Sequence, residues 1–196
     1  MKTIGALVFP NFELLDLYGP LEMFGLNQDA FKIHVVAETT EPVAATPGPK
    51  TQPDEAFGDR ERYDILLVPG GMGSRRGMEN KVLINWLAEQ SKRADIVASV
   101  CTGSALLAGA GVLDDKRATS NKMAWKWVIS QGPKVNWVRK ARWVEDGKFF
   151  TSSGVSAGTD MSLALIEKLI GTEAMETIAK RAEYVRNADP GNDPFA

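Results

Sequence analysis

Two short segments constrain this chain more than any other feature. Ile65-Leu66-Leu67-Val68 is apolar throughout and runs straight into Pro69-Gly70-Gly71. Ile96-Val97-Ala98-Ser99-Val100 is nearly as apolar and runs into Cys101-Thr102-Gly103-Ser104. A strand with one wet face alternates polar and apolar residues, whereas an unbroken apolar run has no wet face and must be covered on both sides. Such strands belong to parallel sheets, whose crossover connections supply the covering helices.

The rest of the chain has the alternation this requires. Residues 2–9 and 31–37 read as strands. Between them Leu14, Leu17, Leu21 and Phe24 have helical spacing, interrupted by Gly19-Pro20, where a helix is predicted to begin or restart. Pro42, Pro47, Pro49 and Pro53 make residues 41–54 a loop with room for a short hairpin. Helices are predicted over 80–93, 105–110, 122–130, 156–169 and 172–186. Strands are predicted over 135–138, 141–144 and 148–151, the last two joined by the hairpin signal Asp146-Gly147. Residues 187–196 should lie on the surface. Strands alternating with helices, and glycine turns after the strands, predict an α/β protein. Its central sheet is open and mostly parallel, with helices on both faces and its site at the carboxyl ends of the strands. At 196 residues, residues 1–196 are expected to form one domain.

Composition narrows the functional classes. With 44% hydrophobic residues the chain can bury a core without a disulfide or metal staple. One Cys and one His exclude an internal disulfide and leave too few ligands for a conventional structural zinc site. No cofactor is implied. The run from Ile4 to Phe9 ends at Pro10-Asn11 without a small-residue cleavage site, so no export signal is expected, and the thiol fits a cytoplasmic location. No run approaches the ~20 apolar residues of a membrane span. A net charge of −2 points to neither a polyanionic nor a polycationic partner.

The lone Cys101 stands where a buried strand gives way to a helix of small residues, which is the pattern of a nucleophile elbow. A thiol at a helix start is expected to have a lowered pKa. The alternative is an inert buried cysteine. A thiolate nucleophile needs donors for developing charge. The N–H groups of Gly70, Gly71 and Thr102 are candidates, although Gly70-Gly71 alone equally suits a tight turn. Asp16, within the apolar stretch from Leu14 to Tyr18, is either a helix N-cap or a carboxylate facing a pocket. His34 sits in mid-strand, away from the strand ends, and reads as structural. Residues 116–142 hold eight Lys or Arg, no acid, and Trp125, Trp127 and Trp137. That mixture can bind nucleic acid. In a slightly acidic chain it reads better as a solvated face with its tryptophans turned inward, so nucleic acid is not expected as a partner.

These motifs, in this order, resemble the ThiJ/PfpI superfamily of glutamine-amidotransferase-like proteins, which includes the Parkinson-disease deglycase. The resemblance is carried by Leu-Asp16-Leu-Tyr-Gly-Pro-Leu-Glu-Met-Phe, Val-Pro-Gly-Gly, Ser-Val-Cys101-Thr-Gly, Arg117-Ala-Thr-Ser-Asn121 and Ser153-Gly-Val-Ser-Ala-Gly158. It implies a flavodoxin-like sandwich, a reactive elbow cysteine and a homodimer. It also places Asn121 in the pocket. The chain departs from the peptidase branch, where His follows the cysteine and Thr102 stands here. It departs from the deglycase branch, where Glu and His occupy the positions of Asp16 and Asn121. It departs from class I amidotransferases, where Gly replaces Ser99 and a later His-x-Glu is present.

The pattern looks most like the isocyanide hydratase branch, and also like the N-terminal domains of AraC-type regulators, whose helix-turn-helix region is expected to be absent here. The first likeness implies that Cys101, Asp16 and Thr102 convert a small-molecule isocyanide to a formamide through a thioimidate. The alternative is a non-enzymatic redox or metabolite sensor built on the same cysteine.

Overall fold

The two apolar runs become adjacent strands in the middle of the molecule, every residue of both at most 8% exposed. The computed structural model describes residues 1–46 and 48–196, so Pro47 lies outside the described residues. Along the chain the elements are β1 (Lys2–Leu7), β2 (Phe12–Glu13), α1 (Leu14–Gly25), β3 (Phe31–Ala37), β4 (Val43–Thr46), β5 (Lys50–Thr51), β6 (Glu55–Ala56) and β7 (Ile65–Val68). They continue as α2 (Ser74–Gly77), α3 (Lys81–Arg93), β8 (Ile96–Ser99), α4 (Gly103–Gly109), β9 (Arg117–Ala118), α5 (Trp125–Gln131) and β10 (Asn136–Trp137). The last are β11 (Trp143–Asp146), β12 (Phe149–Ser152), α6 (Ala157–Ile170) and α7 (Thr172–Arg181).

Seven strands form the main sheet in the order β11-β12-β8-β7-β1-β3-β6, all pairs parallel except the β11–β12 hairpin. The chain leaves β1 for β3 in one direction and β7 for β8 in the other. Crossovers are right-handed, so opposite directions put α1 and α3 on opposite faces. Helix α1 packs on α6 and α6 on α7; on the other face α3 packs on α4 and α4 on α5. Counting only β3, β1, β7, β8 and β12, the order is the flavodoxin-like 2-1-3-4-5, with its switch point between β1 and β7. A crevice opens there because the connections leave in opposite directions.

Three expectations are corrected. Helix α1 does not restart at Pro20 but runs through it from Leu14. A proline inside a helix removes the bond that the carbonyl of residue 16 would receive. Tertiary packing holds the helix all the same. Gly19 brings α1 against α6, where a Cβ would lie 2.7 Å from Thr159 Oγ1. Helix α7 stops at Arg181 rather than Arg186, and Tyr184 and Asn187 instead bond to Asp160 of α6. The strands predicted over 135–138 and 141–144 shift to β10 and β11, and β10 pairs with β9 outside the main sheet. The proline-rich loop does carry a hairpin, β4 with β5, and β2 joins it.

Candidate functional site

Cys101 lies between β8 and α4 with φ +58°, in the left-handed region that L-residues rarely adopt. Hydrogen bonds hold it there. Its N–H donates to the Ser153 carbonyl at 3.0 Å, and its carbonyl accepts from Ser120 Oγ at 2.8 Å and Ser104 Oγ at 3.1 Å. Gly103 completes the elbow, because a Cβ there would lie 2.3 Å from the Val68 carbonyl oxygen. The structure thus has the sharp strand-to-helix turn predicted for a nucleophile, and Cys101 is 6% exposed.

Asp16 reaches the elbow from the other side of the switch point. It sits in the first turn of α1, fully buried, and it is not the helix cap; Glu13 holds that position and makes no side-chain cap bond. Asp16 Oδ2 accepts the Gly70 N–H at 2.9 Å, while Oδ1 has no partner among the described residues. Burial pushes the carboxyl from its ordinary 3.8 up to about 7. The Gly70 N–H opposes that shift, the nearby Glu13 charge adds to it, and contact with the Cys101 thiol opposes it. Loss of hydration disfavours the ionised form, and one donor does not replace it.

The expected lowering of the thiol pKa is reversed. Burial, and then the charge of Asp16, push Cys101 up to about 12. The Thr102 and Val155 N–H groups and the Asn121 side chain act the other way but do not prevail. Two acidic groups in one dry site resist carrying two negative charges. The thiol therefore keeps its proton at neutral pH, and Asp16 is the more acidic of the two.

The N–H groups of Gly70 and Gly71 do not face the sulfur as expected. Gly70 donates to Asp16, and Gly71 donates to Thr102 Oγ1 at 3.0 Å. The Thr102 hydroxyl, also 3.0 Å from Ser74 Oγ, is turned onto that loop rather than toward the cysteine. Gly71 has φ +122°, and a Cβ on it would lie 2.5 Å from the Glu13 nitrogen. The two glycines thus let the loop after β7 close on the start of α1 and fix Asp16. Donors at the sulfur come instead from Thr102, Val155 and Asn121. Asn121 Oδ1 accepts the Ala124 N–H at 2.9 Å, which leaves its amide NH₂ as the donor side.

Val155 was not singled out from the sequence for a role. Its signal lies in its backbone, since φ +44° is rare for a β-branched residue. Asn121 and Val155 also line a pocket of about 440 Å³, with Met123, Ser153 and Phe195 among its other walls; Cys101 itself lies behind these two residues and not in the lining.

The other candidates lie apart from the thiol. His34 Nδ1 is 3.0 Å from Glu55 Oε1, in a cluster with Arg60 and Tyr63. In the basic segment Trp125 and Trp137 meet edge to face at 6.1 Å, and Arg75 lies over Trp127 at 4.6 Å. Among the described residues no helix is long and apolar enough to cross a membrane.

Comparison with known proteins identifies the family. The sequence pattern of the DJ-1/PfpI family matches residues 2–168. The isonitrile hydratase of Pseudomonas putida is 35% identical over 92% of this chain and 78% of its own length. The HTH-type transcriptional regulator GbdR of Pseudomonas aeruginosa is 27% identical over 94% of this chain, which spans only 51% of that regulator. The crystal structure of a ThiJ/PfpI family protein from Pseudomonas syringae superposes with a TM-score of 0.88 at 30% identity, over 95% of this chain and 76% of that one.

Proposed function

The chain belongs to the DJ-1/PfpI family, and on that premise we propose that it hydrates a small isocyanide to the N-substituted formamide, with Cys101 as nucleophile and Asp16 as proton carrier. One observation carries the reading. A buried carboxyl group with its pKa near 7 touches the thiol, and the chain's only histidine is bonded to Glu55 elsewhere. A proton carrier works best with a pKa near the operating pH.

The Cys101 S–H adds across the isocyanide carbon. The sulfur–carbon bond forms, and the thiol proton passes to Asp16 and from Asp16 to that carbon, giving a thioimidate. Water then adds across the C=N bond, its hydroxyl to carbon and its proton to nitrogen. The carbon–sulfur bond breaks as the hydroxyl proton passes through Asp16 to sulfur. The formamide leaves and the thiol is restored, with one water consumed. Thr102, Val155 and Asn121 stabilise charge on the sulfur, and Gly70 and Gly71 hold Asp16 and Thr102 in place.

The sensor alternative asks for an exposed, acidic thiol. The burial of Cys101 weighs against an exposed sensor thiol, while its raised pKa leaves the resting thiol neutral in either reading. The deciding experiment follows para-nitrophenyl isocyanide and its formamide, with Cys101→Ala as control. Formamide from the wild type and none from the variant is expected. Absence of turnover in the wild type overturns the hydratase reading.

A further inference from the structure

The pocket that shares Asn121 and Val155 with the Cys101 site has one wall from a distant part of the chain. Within residues 191–196, all otherwise exposed, Asp193 alone is buried. Its N–H donates to the Lys140 carbonyl at 2.7 Å, and its Oδ1 accepts the Phe195 N–H at 3.0 Å. Its other oxygen is 3.8 Å from Lys122 Nζ, where the two side chains are 0% and 5% exposed. Lys122 is itself held by Thr119 Oγ1 at 2.8 Å and by the Ala141 carbonyl at 2.9 Å. Upstream, the Arg142 N–H donates to the Pro190 carbonyl, and Asp160, paired with buried Arg142, accepts the Asn187 N–H. The segment is therefore fastened at several points, and the last of them sets Phe195 at the pocket mouth.

The walls are unusual for a surface site. Phe195 is 74% exposed and Met123 99% exposed, both large apolar side chains facing solvent at one opening. Lys122 is the only ionisable side chain in the lining, and its amine is turned away onto Asp193 and backbone carbonyls. The pocket thus offers apolar surface, a volume of about 440 Å³, and no charge free to pair with a ligand. Pockets of this size hold small organic groups.

We propose that Phe195 and Met123 form an apolar seat for the non-reacting substituent of the substrate. The Lys122–Asp193 pair acts as the positioning element that pins residues 193–195 and so holds Phe195 at the pocket. The seat selects an uncharged aryl or bulky alkyl substituent over a small or charged one. Isocyanide hydration enters only as the identity of the reacting group; the seat is a claim about the pocket.

Two assays separate these claims. The first is the ratio of kcat/KM for phenyl over methyl isocyanide. The second needs no turnover: the ratio of Cys101 alkylation rates for N-phenyl iodoacetamide over iodoacetamide. Phe195→Ala should lower both ratios by about tenfold, the scale of selectivity that apolar pocket contacts supply. Asp193→Asn, which keeps size but removes the charge, should lower them in the same direction. In Phe195→Ala/Asp193→Asn the second change should add nothing, because it acts through Phe195. An alkylation ratio unmoved by Phe195→Ala overturns the seat. Full additivity in the double variant overturns the pin. A wild type without turnover whose alkylation ratio still falls in Phe195→Ala overturns the hydratase reading and supports the seat.

Discussion

At the scale of single residues, Asp16 and Cys101 have to be treated as one titrating unit. Asp16→Asn removes the carboxylate charge that helps hold the thiol up, so the pH midpoint of Cys101 alkylation should move down. Turnover should fall by about 10²- to 10⁴-fold, the usual contribution of a positioned proton carrier. Single-turnover kinetics with an aryl isocyanide, beside iodoacetamide kinetics, measure both. Unchanged turnover removes Asp16 from the mechanism. Stability responds with a definite sign. The folded-state pKa of Asp16, about 7, lies above its ordinary 3.8, so its contribution is fully present below pH 3.8 and is lost as pH rises through 7. Thermal unfolding of the wild type, compared with Asp16→Asn, should lose ground between those values. Cys101 and Asp16 were legible because each breaks a local pattern: a cysteine at a strand end, an acid in an apolar stretch. Val155 breaks none; its role rests on a φ angle. The Lys122–Asp193 contact joins residues far apart in sequence and leaves no periodic trace.

At the scale of elements, the apolar character of β7 and β8 was enough to place the centre of the sheet, and the elbow at Cys101 is found at the strand end where the sequence put it. Helix α1 was misread at Pro20 because the cost of an interior proline is local, whereas its compensation comes from the packing of α1 on α6. Donor assignments at Gly70 and Gly71 failed for a related reason. Which group an N–H meets depends on how the loop after β7 docks on α1. The elbow depends on the close approach of α4 to β7. Gly103→Ala forces a Cβ onto the Val68 carbonyl and should cost about 1–3 kcal/mol, read by urea unfolding. At the other edge of the sheet, Glu55 on β6 is drawn down to about 2, first by its hydrogen bonds with Arg60 and also by those with Tyr63 and the charge of His34. Its stabilisation is present above its ordinary 4.5 and is lost as pH falls through about 2. Glu55→Gln should flatten the acid limb of the unfolding curve while leaving the neutral region's shape alone.

At the scale of the whole molecule, the helical layers leave part of α1 apolar and exposed among the described residues. Leu15 and Tyr18, one turn apart on α1, are 45% and 43% exposed, although Asp16 between them is fully buried. We expect this face to meet a second copy of the chain, as the family resemblance implies. Light scattering at micromolar concentration should then give twice the mass of the chain, and Leu15→Glu should return it to one. A wild-type mass of one chain contradicts the pairing. Dimerisation through α1 would tie the helix that carries Asp16 to the assembly state.

The left-handed backbone at Val155 has a consequence for how such a protein can be improved. A β-branched residue in that region is held against its own preference at a cost of order 1–3 kcal/mol, and asparagine adopts the conformation more readily. Val155→Asn should therefore raise the melting temperature. The same change relaxes the backbone whose N–H faces the Cys101 sulfur, so turnover should slow. If the proposed turnover holds, breeding this protein for heat and breeding it for speed would pull one codon in opposite directions, and variants gained under one pressure would be discarded under the other.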